Sequence, residues 1–206
     1  VIPSDQIISS IEQLELFKGQ HTAVFSGSFN PPHLGHLHVM ECAVKHKVDY
    51  AMVFPHSFNW RKTGQLLPLN IRLEMLSLLM SESVQADKIF ICHPELFHGL
   101  RENIEPISEA FGGKDYVHIL VGGDRMSLNF AQYFKGFDHL VVQRGVDVES
   151  ICRCVFDDQY HVFDDEYDAS STQVRGGSPL ERKRMLGDRL FQFIEEHDYW
   201  AQLNQA

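Results

Sequence analysis

Short apolar runs that alternate with stretches of helical periodicity constrain the fold of this chain more than any other feature. Six such runs are rich in branched and aromatic side chains and lie at residues 22–26, 50–54, 88–92, 117–121, 139–143 and 160–163. Runs of this length and composition are typical of strands that are buried on both faces of a parallel sheet. Their alternation with helical segments predicts the α/β class, with a doubly wound, Rossmann-like parallel sheet.

The predicted sheet also predicts where a ligand binds. In the common strand order 3-2-1-4-5, the first and fourth strands lie side by side at the point where the order of the chain reverses. The loops that follow these two strands therefore face one crevice at the carboxyl edge of the sheet. The first of these loops begins at Gly27, and the second contains Gly122, Gly123 and Asp124.

We expect a single domain over residues 1–206, because a chain of 206 residues can bury one sizeable core and this one shows no linker or repeat. Residues 22–165 form the predicted sheet core. Residues 166–206 form a small helical part with a break at Gly187. Before the core, an N-terminal helix is expected to begin near Ser4, and its inward residues are Ile7, Ile8, Ile11 and Leu14. Asn70 is the expected cap of the helix that follows the second strand.

The charge balance excludes two classes of partner. The chain carries 18 Lys and Arg residues against 28 Asp and Glu residues, which gives a formal net charge of −10. A chain this acidic is not expected to bind nucleic acid or an anionic membrane non-specifically. No apolar run approaches the roughly 18 residues of a membrane span, and the first residues lack the features of a signal peptide. We therefore expect a cytoplasmic protein with small-molecule partners, and a homo-oligomer is compatible with this sequence.

The turn after the first predicted strand carries the most informative motif. It reads Gly-Ser-Phe-Asn-Pro-Pro-His-Leu-Gly-His, residues 27–36, and leads into a predicted helix. Gly27 has no Cβ, so a ligand could approach the end of the strand closely. His33 and His36 are three residues apart and would share one face of the first helical turn, beside N–H groups that favour an anion. The residues alone leave a metal site and a plain helix start open as alternatives.

A second candidate anion site is the segment Ser-Ser-Thr-Gln-Val-Arg, residues 170–175. Ser170 and Ser171 supply hydroxyl and backbone donors at the start of a predicted short helix. Arg175 lies one turn later on the same side and could bind a phosphate with two parallel hydrogen bonds. A helix cap followed by a surface arginine is an alternative interpretation of the same residues.

Together, residues 27–36, 122–124 and 170–175 resemble the nucleotidyltransferase superfamily and, within it, the nicotinate/nicotinamide mononucleotide adenylyltransferase family. The resemblance spans about residues 22–200. It implies a nucleotidyltransferase fold and the transfer of AMP from ATP to a mononucleotide, with release of pyrophosphate, in NAD biosynthesis. It also implies that Mg²⁺ bridges phosphate oxygens.

The resemblance assigns the candidate site residues. Those expected to act on the triphosphate during the reaction are His33, His36, Lys62 and Arg175. Those expected to bind the nucleotide are Gly27, Ser28, Phe29, Gly122, Asp124, Ser170, Ser171 and Thr172. Those expected to bind the acceptor are Trp60 and Arg144, and a tryptophan that merely covers the sheet is an equally good interpretation of Trp60. No protein ligand for a metal is predicted.

The chain departs from the family pattern at three places. Asn30 stands where aspartate is common, and Ser26 replaces a frequent glycine. Residues 95–106 lack the Pro-Ser-Tyr-Thr-like segment of bacterial nicotinate mononucleotide enzymes. The identity of the acceptor therefore stays open. Two alternatives remain: the same chemistry on a different phosphorylated acceptor, and a nucleotide-binding sensor without turnover.

Overall fold

A computed structural model of the protein describes residues 6–57, 66–97, 99–123, 127–143, 148–155, 160–164 and 167–205. The described strands are β1 (Ile7–Ile8), β2 (Thr22–Gly27), β3 (Tyr50–Pro55), β4 (Ile89–Cys92), β5 (Val117–Gly122), β6 (Asp138–Val142) and β7 (Tyr160–Phe163). The described helices are α1 (Ile11–Glu15), α2 (Leu34–His46), α3 (Leu69–Met80), α4 (Ile104–Phe111), α5 (Leu128–Tyr133), α6 (Val148–Val155), α7 (Ser171–Gly176), α8 (Pro179–Leu186), α9 (Asp188–Glu196) and α10 (Trp200–Leu203). This alternation of strands and helices confirms the predicted α/β class.

The strands form one parallel sheet in the order β1-β4-β3-β2-β5-β6-β7. The six predicted strands correspond to β2 through β7, so the predicted order 3-2-1-4-5 is confirmed as β4-β3-β2-β5-β6. In the centre of the sheet, Phe25 of β2 lies opposite Val53 of β3 and Leu120 of β5. The chain reverses its order between β2 and β5, and the carboxyl ends of these strands, Gly27 and Gly122, lie at the same edge.

Helices cover both faces of the sheet, because alternate residues of a strand point to opposite faces. In β2, Ala23 and Phe25 pack in one core with α2, α3, α8 and α9, whereas Val24 packs in another core with α1 and α4. A smaller core joins β5 and β6 to α5 and α6. Burial of both faces is the physical reason that the strands are continuous apolar runs.

The predicted start of the N-terminal helix is wrong. The segment Ile7–Ile8 forms β1, and it adds to the edge of β4 through a hydrogen bond from the Ile91 N–H to the Gln6 carbonyl (2.7 Å). The helix begins only at Ile11, after the capping residue Ser10. Backbone hydrogen bonds to the open edge of β4 stabilise a strand here, although the spacing of the isoleucines fits a helix.

Helix boundaries elsewhere follow from local backbone chemistry. α3 begins at Leu69 with Pro68 at the N-cap position, so the predicted cap, Asn70, is wrong and this side chain is exposed. The predicted break at Gly187 is confirmed, because its φ of +78° ends α8 before α9 begins. Among the described residues, no helix has the length and apolar character needed to cross a membrane.

Candidate active site

The loop from β2 to α2 is shaped by the ring of Phe29. This residue has a φ of +49°, a left-handed conformation that costs a non-glycine residue roughly 1–2 kcal/mol. Its ring is 2% exposed and packs edge-on against Phe25 and His36, with centroid distances of 5.6 and 4.9 Å. A Cβ on Gly27 would approach the Phe29 ring to 3.1 Å. The close Phe29 ring therefore favours glycine at position 27, a reason additional to the predicted approach of a ligand.

The two motif histidines lie together at the N-terminus of α2. His33 is the buried N-cap residue, and its ring stacks on that of His36 with 3.6 Å between centroids. The backbone N–H of His33 donates to Nδ1 of His36 at 3.2 Å. A ring nitrogen that accepts a hydrogen bond carries no proton, so the proton of a neutral His36 ring lies on Nε2. A neutral His36 at the start of α2 is therefore an N–H donor through Nε2, in a place where the backbone also favours an anion.

Gly35, between the two histidines, allows a distant segment to approach. A Cβ at this position would meet Nδ1 of His33 at 3.0 Å and the Ala169 carbonyl oxygen at 3.3 Å. Ala169 lies two residues before α7. The glycine of the motif therefore leaves room both for the His33 ring and for the chain that leads into α7.

α7 is hydrogen-bonded directly to the motif loop. The Ser171 hydroxyl donates to the Pro31 carbonyl at 3.0 Å, and Nη1 of Arg175 donates to the Asn30 carbonyl at 2.8 Å. The structure thus brings together the two segments that the sequence separates most widely. Arg175 keeps further N–H groups beyond this bond, since a guanidinium has five.

The hydroxyl groups of α7 have partners within the protein. Ser170 is the N-cap, and its hydroxyl oxygen accepts from the Gln173 N–H at 3.1 Å. Thr172 is exposed, and its hydroxyl oxygen accepts from Nη2 of Arg175 at 3.4 Å. Together with the Ser171 hydroxyl, these groups position the helix and its arginine. Direct contact of these hydroxyl groups with a phosphate stays a prediction.

Two arginines place positive charge at this junction although the whole chain is acidic. Arg175 is half-buried, and burial lowers the pKa of its guanidinium, which still stays charged at neutral pH. Arg182 donates to the carbonyls of Val174 (3.2 Å) and Arg175 (2.7 Å), and its guanidinium lies 4.1 Å from the centre of the Trp200 ring. Arg182 therefore binds the last carbonyls of α7 and fixes the backbone that carries Arg175.

On the facing side of the crevice, Gly122 ends β5 and is half-buried. Its expected contact with a nucleotide stays a prediction. Four further predicted residues lie outside the part of the chain that the structure describes, and their roles also stay predictions: Trp60, Lys62, Asp124 and Arg144.

Two buried polar residues that were not predicted as site residues hold the motif loop from below. Asn30, which is 1% exposed, accepts the Leu67 N–H on Oδ1 at 3.0 Å. An amide offers the same acceptor as a carboxylate, so asparagine can replace the aspartate that is common here. Arg72, also 1% exposed, donates to three backbone carbonyls. The available signal was an arginine on the inward face of α3, in line with Leu76 and Leu79.

The geometry of this site agrees with a match to a protein family. The family model described as cytidylyltransferase-like matches residues 24–177, from β2 to the residue after α7. The chain belongs to this family. The match contains the histidine motif, Gly122 and the arginine of α7, so the resemblance to nucleotidyltransferases is confirmed at the level of the family.

Two curated proteins and one solved structure resemble the chain over most of its length. A "Probable nicotinate-nucleotide adenylyltransferase" of a Nitratiruptor species is 24% identical over 163 residues, which cover 74% of this chain and 86% of the relative. A protein with the same name from Sulfurimonas denitrificans is 23% identical over 181 residues, which cover 84% and 94%. The Plasmodium falciparum nicotinic acid mononucleotide adenylyltransferase complexed with NaAD superposes with a TM-score of 0.73 at 15% identity, over 87% of this chain and 97% of that chain. This superposition confirms the fold.

Proposed function

We propose that the protein is an adenylyltransferase that moves AMP from ATP to nicotinate or nicotinamide mononucleotide and releases pyrophosphate. The observation that carries the proposal is the junction of α2 with α7, where His36 and Arg175 lie against one loop. The names of the two curated relatives support the nicotinate branch. The product would be a dinucleotide of the NAD pathway.

The chemistry requires positioning rather than a protein nucleophile. A phosphate oxygen of the mononucleotide forms a bond to the α-phosphorus of ATP, and the bond from that phosphorus to pyrophosphate breaks. The attacking phosphate is already an anion, so no general base is required. The site must align the reacting groups and stabilise charge on the leaving pyrophosphate. The Nε2–H of His36 and the guanidinium of Arg175 are donors suited to that charge.

The remaining candidate residues have supporting roles in this proposal. The first turn of α2 and the backbone of Ser28 and Phe29 hold the triphosphate. Lys62 binds the phosphates. Gly122 and Asp124 hold the adenosine ribose. Trp60 and Arg144 bind the acceptor.

Mg²⁺ fits this site as an ion that is carried by the nucleotide. Across the described part of the chain, no group of three His, Cys, Asp or Glu side chains could hold a metal ion. Mg²⁺ commonly keeps several waters and binds substrate phosphates with few protein ligands. When bound, it would neutralise part of the phosphate charge, and the arginine of α7 would neutralise more. The acidic net charge of −10 supports small-molecule substrates rather than nucleic acid. A cytoplasmic location is part of the same proposal.

A pyrophosphate-release assay tests the proposal. The protein is mixed with ATP, Mg²⁺ and each pyridine mononucleotide in turn, and the dinucleotide is measured by chromatography. Equal yields of pyrophosphate and dinucleotide with one of the two acceptors would support the proposal and identify the acceptor. Release only with another phosphorylated acceptor would replace the acceptor and keep the chemistry. Tight ATP binding without release on any acceptor would make the protein a sensor.

A further inference from the structure

Arg72 of α3 is a cation buried beneath the motif loop. Its side chain is 1% exposed, and burial lowers the pKa of its guanidinium. Among the carboxylates that the structure describes, none forms a salt bridge with it. Burial of a charge without a counterion is costly unless hydrogen bonds offset the lost hydration. Here three backbone carbonyl oxygens accept those bonds.

The three carbonyls belong to three different segments around the candidate active site. Arg72 donates from Nη1 to the Ser28 carbonyl (2.7 Å), from Nη2 to the His56 carbonyl (3.0 Å) and from Nε to the Leu67 carbonyl (3.0 Å). Ser28 lies in the motif loop, and the other two residues border the stretch 57–66 on its two sides. One guanidinium therefore holds both ends of that stretch against the motif loop, a task that suits its planar fork of donors.

The bond to Ser28 also sets the direction of a backbone N–H. The peptide between Ser28 and Phe29 is trans, and in a trans peptide the C=O and the N–H point in opposite directions. Because Arg72 holds the Ser28 oxygen, the Phe29 N–H points away from Arg72. The bond also holds the loop where Phe29 adopts its unfavourable positive φ.

We propose that Arg72 is a positioning residue for the triphosphate. It keeps the Phe29 N–H directed at the phosphates and places a positive charge beneath them, without touching the nucleotide itself. The inference rests on the proposed function, since it requires the triphosphate to bind at the motif loop. Its main effect is on the ATP side of the reaction, through the bond to Ser28. Because Trp60 lies in the stretch that Arg72 holds at both ends, the KM for the mononucleotide should change as well, but by less than the ATP affinity.

Two substitutions separate the charge of Arg72 from its shape. Arg72→Met keeps the length of the side chain but removes the charge and every donor, whereas Arg72→Lys keeps the charge without the fork. We expect Arg72→Met to lose about 10² in kcat, the scale for a small misplacement of reacting groups, and to weaken ATP binding by about tenfold in calorimetry. Arg72→Lys should recover about tenfold of the lost kcat, because charge alone restores part of the effect. The KM for the mononucleotide should stay within about threefold of the wild-type value.

The control is Leu79→Val, a buried substitution in the same helix that lowers the melting temperature without touching the loop. All rates are taken per folded protein, at a temperature where each variant is folded. The inference is overturned if the wild type is active and Arg72→Met stays within threefold of it, or if Leu79→Val lowers kcat as much as Arg72→Met. If the wild type neither binds ATP nor releases pyrophosphate, the proposed function fails and this inference fails with it.

Discussion

Both edges of the sheet carry a pair of histidines in contact, and the two pairs differ in what surrounds them. At the carboxyl edge, His33 and His36 stack at the start of α2. At the amino edge, Nδ1 of His21 lies 2.9 Å from Nε2 of His118, and Nδ1 of His118 lies 2.8 Å from Oδ2 of Asp138. In the second pair, His118 of β5 is therefore also bound by the carboxylate of Asp138 in β6.

The partners of a histidine, rather than the histidine itself, therefore indicate a binding site. At the amino edge, both ring nitrogens of His118 are bound within the protein, so this ring has no donor left for a ligand. At the carboxyl edge, Nδ1 of His36 accepts a backbone N–H and its Nε2–H lies at a helix start that favours anions. The amino edge should therefore govern stability, and the carboxyl edge should govern activity.

His36→Ala should produce the largest effect at the carboxyl edge. We expect kcat for pyrophosphate release to fall by about 10² to 10³, the scale for loss of one preorganised donor, or roughly 3–4 kcal/mol. His36→Gln, which can place an N–H near the Nε2 position, should keep more activity than His36→Asn. The exposed His46→Ala, at the other end of α2, is the control and should match the wild type. An alanine variant within threefold of the wild type would contradict this role.

His139, in β6 at the amino edge, should make stability depend on pH. It is fully buried, burial lowers its pKa from 6.5 to about 4, and its Nδ1–H donates to the Phe137 carbonyl. Between these two values the unfolded chain binds a proton that the folded chain does not. The contribution of His139 to the free energy of unfolding is therefore full above pH 6.5. It falls toward pH 4, by at most about 3 kcal/mol.

Urea denaturation as a function of pH checks this expectation. His139→Asn keeps a donor for the Phe137 carbonyl but does not titrate, so its stability should vary less between pH 6.5 and 4. His161→Asn, at an exposed position of β7, should keep the wild-type slope. Equal slopes for the wild type and His139→Asn would show that another group causes the acid sensitivity.

Asp138→Asn should lower stability and leave activity unchanged. Burial by itself would raise the pKa of Asp138, but the hydrogen bond and the charge from His118 lower it below its ordinary value. A lowered carboxylate pKa stabilises the fold above the unfolded value of about 3.9, and the stabilisation is lost as pH falls through the folded value. We expect the free energy of unfolding to fall by about 1–2 kcal/mol at pH 7, with kcat and KM within twofold of the wild type.

The difference in stability between Asp138→Asn and the wild type should therefore shrink below about pH 4. The exposed Asp188→Asn, which breaks a surface contact with Lys183, is the matched control and should cost little at either pH. A tenfold loss of kcat in Asp138→Asn would contradict the expectation that the amino edge governs stability and not activity.

Ser171→Ala should give the smallest effect. It removes one hydrogen bond, to the Pro31 carbonyl, between α7 and the motif loop. We expect ATP binding to weaken by about 1 kcal/mol, seen as a few-fold rise in the KM for ATP. The effect is small because Arg175 still holds the same loop. Gln173→Ala, which removes an exposed side chain of the same helix, is the control. A loss as large as that of His36→Ala would mean that the hydroxyl acts directly on the phosphates.

Local patterns predicted most of the fold because both faces of the sheet are buried, which makes the strands readable as apolar runs. The exception is β1. The spacing of Ile7 and Ile8 from Ile11 and Leu14 fits a helix, and only pairing with the open edge of β4 makes Ile7 and Ile8 a strand. In the site, residues 27–36 and 170–175 were predicted as a pair only through their resemblance to a family. Their contact depends on hydrogen bonds between residues that lie far apart in the chain.

By itself, then, the sequence determined the α/β class, the order of the central strands and the positions of the histidine motif and of Arg175. Long-range packing showed which nitrogen of a neutral His36 carries the proton, why glycine is favoured at Gly27 and Gly35, and that Arg72 binds the motif loop and both ends of the connection from β3 to α3. The cause is the separation along the chain of the residues that interact. Strand and helix patterns arise from neighbours along the chain, whereas a ring over a glycine or a guanidinium between carbonyls exists only after distant segments have packed.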